Sequence, residues 1–142
     1  MNLNPNFIDK LRNSGLRPTK QRLKICEILF NTEKTFHFTI NDLAKTISEK
    51  LKEKISLATV YNTVHAFTKK GYLKEISINS EKNYFDTNTS AHHHFYDEDT
   101  NELIDCDENN ISPIIIKDNF TGRKINSVEV LIKVASDNQN QN

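Results

Sequence analysis

Residues 56–86 read SLATVYNTVHAFTKKGYLKEISINSEKNYFD, and a change of period inside this stretch decides the fold. Ser56 is a residue type that caps helices, and Leu57, Val60, Val64 and Phe67 then recur at helical spacing as a core stripe. Lys69 and Lys70 suit the negative end of that helix, and Gly71 suits its stop. After Gly71 the period becomes two. YLKEISI and KNYFD alternate as strands do, with INSEK as the turn between them.

Working back from Ser56, three more helices are expected. Thr39 caps one that carries Ile40, Leu43, Ala44, Ile47 and Leu51 on one face, with Asp42 in a variant of the capping box. Thr19 caps another, with Leu23, Cys26, Leu29 and Phe30 at helical spacing. Phe7, Ile8 and Leu11 mark a short first helix that stops at Gly15. Helices followed by a two-stranded ribbon are the pattern of a winged helix-turn-helix. Working forward, TNTSA reads as a hinge and HHHFY and ELIDC as short strands. A helix is expected from Pro113, carrying Ile114 to Ile116 toward Phe120. SVEVLIKVA reads as a last strand, with Val128, Val130, Ile132 and Val134 on one face and Glu129 and Lys133 on the other. The expected class is therefore α+β: a winged-helix DNA-binding domain over 1–86, a hinge at 87–91, a small α/β dimerisation and ligand-sensing domain over 92–136, and a disordered tail at 137–142. So small a second domain gains stability from oligomerisation or a metal, and an apolar edge strand invites a second copy.

The 142 residues carry a net charge of zero that hides an asymmetry. Residues 1–80 hold 14 basic against 7 acidic side chains, and residues 81–142 hold 5 against 12. The basic half suits a polyanion, and the acidic half suits cations or self-association. No apolar run reaches membrane-span length and no leader stretch opens the chain, so a cytoplasmic protein without a membrane partner is expected. Cys26 and Cys106 form no CxxC pair, which rules out a four-cysteine structural zinc within one chain.

If the stripe of the fourth helix faces the core, Ser56, Thr59, Tyr61, Asn62 and His65 lie on or beside its other face. Tyr61 can lay its ring on a thymine methyl, and Asn62 can bond a phosphate or an adenine edge. Arg17 and Lys20 are placed to reach a backbone or an A·T-rich minor groove. The plain alternative is an amphipathic helix whose Tyr61 packs on a neighbour.

The run YFDTNTSAHHHFYD at 84–97 raises a separate question. On a strand, His92 and His94 point together and His93 points away. Asp86 precedes them by a hinge-length gap, Asp105 lies on the next strand of a hairpin, and His37 stands before the third helix. Three imidazoles and two carboxylates would surround one divalent cation. Nitrogen and oxygen donors without thiolate suit Fe²⁺ or Mn²⁺ at five or six coordinate, while Zn²⁺ also binds such donors. Taken singly, His37 reads as a surface or capping residue, and the two aspartates read as ordinary surface acids.

GLRPTKQRLKI, SLATVYNTVHAF and KNYFDTNTSAHHH together resemble the ferric uptake regulator family over nearly the whole chain. The resemblance implies base contact by Tyr61, minor-groove entry by Arg17, and a regulatory metal site at His37, Asp86, His92, His94 and Asp105. Asn62 stands where most members have arginine, and with HHHFY it resembles the iron response regulator branch. That branch implies a haem signal through His92, His93 and His94, and DNA binding when iron is scarce. Neither cysteine precedes a proline, so the cysteine-proline haem motif of some members is missing. The implied protein is a homodimeric, iron- or haem-responsive transcription regulator on an A·T-rich palindrome, with any link to haem-synthesis machinery left open. A peroxide-sensing or Mn/Fe-sensing regulator fits the same five residues. A non-haem metalloenzyme built on two histidines and a carboxylate is disfavoured, because no glycine-rich loop or nucleophile constellation accompanies them.

Overall fold

The structure is a computed structural model that describes residues 5–111, 113–118 and 120–137. The chain divides into two compact units, Met1–Thr89 and Ser90–Asn142. The division falls inside the segment 87–91, and most of the tail expected at 137–142 lies outside the described residues.

In the first unit, helices α1 (Pro5–Asn13), α2 (Lys20–Phe30), α3 (Ile40–Leu51) and α4 (Leu57–Lys70) form where the caps stand. The hydroxyls of Thr19, Thr39 and Ser56 accept from the amides of Arg22, Asp42 and Thr59 at 3.2, 3.2 and 3.1 Å. Each cap satisfies an otherwise orphaned first-turn donor. Gly71 ends α4 in the left-handed region at φ 89°, where a side chain would be strained. Strands β1 (His37–Phe38), β2 (Lys74–Ser77) and β3 (Asn83–Asp86) make an antiparallel sheet in the order β1-β3-β2. β1 is an addition to the sequence reading. At two residues it is too short to show a period, yet it sets His37 opposite Asp86.

The core of this unit gathers Leu11, Ile25, Cys26, Leu29, Phe38, Leu43, Ile47, Val60, Val64, Phe67 and Phe85. On α4 the buried set is Val60, Thr63, Val64 and Phe67. Leu57, expected in that stripe, is 53% exposed, and Thr63 takes a buried place instead by donating its hydroxyl to the Thr59 carbonyl at 2.8 Å. Burial pushes the Cys26 thiol up to about 12, so it stays protonated and packs as a small apolar group. Lys10 lies 4.3 Å from the ring centres of both Phe30 and Tyr72, and so ties α1 to α2 and to the segment just after α4. Lys10→Met keeps the apolar stem and removes only the cation, and is expected to cost about 1 kcal/mol in a denaturant titration.

In the second unit, β4 (His93–Asp97), β5 (Glu102–Cys106) and β6 (Leu131–Val134) form a sheet in the order β5-β4-β6. β4 and β5 are an antiparallel hairpin, and Asn101 turns it at φ 60°. β4 and β6 are parallel, with His94 opposite Leu131 and Asp97 opposite Val134. Two expectations are corrected here. No α-helix begins at Pro113, and residues 113–118 are irregular. Ile114, Ile115 and Ile116 are consecutive and β-branched, so they resist helix and spread around any turn they would make. Ile115 is 81% exposed, so the unit offers that run no face to bury against. The last strand is also shorter than SVEVLIKVA. Its register sets Ile132 beside Phe95, which in turn faces Ile104 on β5. That apolar side of the sheet is half-buried to exposed rather than core. No helix among the described residues is long and apolar enough to cross a membrane.

Candidate functional site

The second unit supplies a compact donor set. In the β4–β5 hairpin His94 and Asp105 are cross-strand partners, so their side chains share a face. His92, two residues before His94, joins them, and the two imidazole rings are 4.4 Å apart. Asp105 Oδ1 stands 3.1 Å from His94 Nε2 and 3.5 Å from His92 Nε2. The Nδ1 of His92 lies 2.7 Å from the Ser90 carbonyl, to which it donates, and this orients the ring with Nε2 toward Asp105. A backbone carbonyl behind an imidazole is the usual way a ligating ring is oriented. Two donors about 2.1 Å from one ion and at right angles sit about 3 Å apart. The spacing around Asp105 therefore fits a divalent cation.

His93 stands apart from His92 and His94, as alternation along a strand predicts. It lies on the other side of the strand, and its Nδ1 accepts from the Val130 amide at 2.9 Å. That bond ties β4 to the residue before β6. Three adjacent imidazoles therefore do not share one face. His93 instead lines an open groove of about 760 Å³ with Glu108, Asn109, Asn110, Ile111, Pro113, Ile114 and Val128.

The first unit supplies a second pair. His37 on β1 and Asp86 on β3 are cross-strand partners and share a face of the wing sheet. Asp86 is only 1% exposed, and its Oδ1 accepts from the Asn88 amide at 2.8 Å. A carboxylate so deeply buried needs charged or hydrogen-bonded company. Thr87 exchanges hydrogen bonds with Phe36, which pins the strand end next to His37. No cysteine enters either set: Cys26 and Cys106 are both buried and free of disulfide.

The candidate DNA residues lie on exposed parts of the first unit. Tyr61, Asn62 and His65 are exposed on α4, and Tyr61 stacks parallel on His65 with ring centres 5.6 Å apart. Ser56 and Thr59 are occupied with the cap, their hydroxyls 2.8 Å apart. Arg17 is exposed in the loop before α2, and its carbonyl accepts from Arg22 Nη1 at 3.0 Å. Lys20 is exposed and lies 3.8 Å from Glu53. The sequence reading missed Leu57 as a surface residue of this face. The signal was present, because Leu57, Tyr61 and His65 repeat at i, i+4 and i+8.

A four-helix, winged-sheet unit followed by a small β unit with an imidazole–carboxylate cluster defines a winged-helix protein with an appended β unit. Residues 13–133 match the Ferric uptake regulator family, and the chain belongs to that family, one of transcription regulators and not of enzymes. The Peroxide operon regulator of Bacillus subtilis (strain 168) is 34% identical over 98 residues, covering 69% of this chain and 66% of its own length. The Peroxide-responsive repressor PerR of Staphylococcus epidermidis is 33% identical over 98 residues, covering 69% of this chain and 63% of its own. The chain thus spans a little under two-thirds of the length of these curated relatives. Among solved structures, the ferric uptake regulator from Pseudomonas aeruginosa with manganese aligns with a TM-score of 0.67 at 24% identity, over 92% of this chain and 97% of that one. The Vibrio cholerae ferric uptake regulator aligns at 0.66 and 22%, over 91% and 98%. At these identities the structural likeness speaks for the α+β fold.

Proposed function

We propose that this protein is a cytoplasmic, homodimeric, metal-responsive transcription regulator that binds A·T-rich palindromic DNA and responds to peroxide. One Fe²⁺ or Mn²⁺ ion takes His37 and Asp86 from the first unit and His92, His94 and Asp105 from the second. The observation that carries this reading is Asp105 Oδ1, poised within 3.5 Å of two imidazole Nε2 atoms. Two carboxylates balance a divalent charge, and the mixed nitrogen and oxygen donors suit these metals better than tetrahedral structural zinc. The peroxide-responsive relatives support the input over the haem signal of the iron response branch, and the division of the tripeptide supports it too.

An ion that draws ligands from both units favours one arrangement of them and so one spacing of two α4 helices in a dimer. It shifts DNA affinity only by its differential affinity for that arrangement. Ferrous iron bound there would supply one-electron reduction of peroxide beside the imidazoles. The chain's own part is to hold those imidazoles by the Ser90 carbonyl and the hairpin register, so that oxidation of one ligand loosens the set. The exposed apolar side of the second sheet, with Phe95, Ile104 and Ile132, supports pairing with a second copy.

The test is calorimetric titration of the whole chain with Mn²⁺, comparing Asp86→Ala and His37→Ala with the unaltered protein. Each is expected to weaken binding at least tenfold. An unchanged affinity in both variants would separate the His37–Asp86 pair from the three donors of the second unit and end the single-ion reading. A labelled A·T-rich palindrome should bind at least tenfold tighter with Mn²⁺ than without. Peroxide treatment of the Fe²⁺-loaded chain should add one oxygen to His92 or His94, as read by mass spectrometry.

A further inference from the structure

We propose that His65 is a positioning residue for DNA reading: it holds the Tyr61 ring in one orientation on the open face of α4. This deepens the DNA-binding reading above and rests on it. The two rings are parallel within 7° and their centres are 5.6 Å apart. Spacing of four residues on a helix is what allows the stack. Neither ring belongs to the core, which α4 fills with Val60, Thr63, Val64 and Phe67. Tyr61 is 52% exposed, and Leu57, one turn earlier, is also exposed, so an apolar and aromatic stripe runs up a face otherwise lined by Asn62 and the cap.

An exposed tyrosine ordinarily samples several χ1 wells, and fixing such a side chain at an interface costs about threefold to tenfold in affinity. A ring already stacked on His65 has met that cost before DNA arrives. It then presents one fixed edge and face to the groove, and the group best matched to an apolar ring there is the thymine methyl. The pairing of His65 with Tyr61 is therefore a specificity device. Its contribution is orientation, made through Tyr61, with no requirement that His65 touch a base or a phosphate.

The experiment starts from the duplex that the unaltered chain, loaded with Mn²⁺, enriches from a random pool. Each thymine of that duplex is then replaced singly by deoxyuridine, which removes only the methyl. The unaltered chain is expected to lose about fivefold or more in affinity at one thymine per half-site. His65→Ala should bind the enriched duplex about threefold to tenfold more weakly and distinguish thymine from deoxyuridine less than twofold. His65→Phe, which can stack but cannot hydrogen-bond or carry charge, should restore both within about twofold. His65→Lys, which can reach a phosphate but cannot stack a ring, should restore neither. Rescue by lysine and failure of phenylalanine would overturn the proposal, because His65 would then act by charge. A second readout needs no DNA. The Tyr61 ring protons should be displaced upfield by the imidazole and return in His65→Ala, while the thermal midpoint stays within about 2 °C because the site is exposed. No displacement in the unaltered chain would overturn the proposal even where DNA binding persists. No enriched duplex at all would instead remove the DNA-binding reading beneath it.

Discussion

Asp105→Ala is expected to cut Mn²⁺ affinity at least a hundredfold, about 2.7 kcal/mol, in calorimetric titration of the whole chain. One oxygen of this carboxylate lies 3.1 Å from His94 Nε2 and 3.5 Å from His92 Nε2, so it stands where both imidazole nitrogens converge. Removing it takes a full negative charge from the set and leaves neutral imidazoles as the second unit's donors. A divalent cation drawn partly out of water depends on that charge far more than an exposed ion pair does. Asp105→Asn separates charge from geometry, because it keeps an oxygen donor, and should fall between the alanine variant and the unaltered chain. Metal-free stability should move little in either variant, since the Asp105 side chain is more than half exposed. A loss smaller than about threefold in Asp105→Ala would place the ion elsewhere.

How much of this was legible beforehand depended on how local each signal is. Caps and helix stops were, because Thr19, Thr39, Ser56 and Gly71 act on their own helix ends whatever the rest of the chain does. The pairing of His92 with His94 was too, since alternation along a strand fixes which side chains point together. The sequence names Asp86, Asp105 and His37 as candidate partners, and cross-strand register then decides which of them are neighbours. His94 meets Asp105, and His37 meets Asp86, only through hydrogen-bonded neighbours distant in sequence. β1 was hidden by its length. The helix expected at Pro113 failed for the opposite reason. Pro113 is a favourable first residue, but the three isoleucines after it lack a polar side and have no core to cover within their own unit. The same alternation sends His93 to the other side of the strand, but its partner there, the Val130 amide, depends on the distant pairing of β4 with β6.

Phe67→Ala is expected to destabilise the first unit by about 3–5 kcal/mol, whereas Leu57→Ala, from the same stretch of α4, should change stability by less than about 0.5 kcal/mol. The apolar pattern puts the two residues on one broad stripe, although ten positions at about 100° each leave them about 80° apart around the helix. Burial separates them. Phe67 is fully buried, with its ring edge-on to Phe30 at 5.5 Å and to Tyr72 at 6.1 Å. Those two rings also carry the Lys10 cation, so a cavity at 67 loosens the seam joining α1, α2 and α4. The loss combines the transfer of an aromatic ring with an unfilled volume, because close-packed surroundings relax only partly. In a domain of this size each kcal/mol moves the midpoint by about 4–8 °C, so thermal unfolding followed by circular dichroism should drop by at least about 12 °C. Leu57 leaves solvent rather than a core when truncated, and its variant should melt with the unaltered chain. It should nevertheless weaken binding to the enriched duplex, because the same exposure that makes Leu57 irrelevant to folding sets it one turn before Tyr61 on the reading face. A large drop in midpoint for Leu57→Ala, or a small one for Phe67→Ala, would mean that α4 is rotated about its axis from the orientation described, and with it the assignment of Tyr61, Asn62 and His65 to the open face.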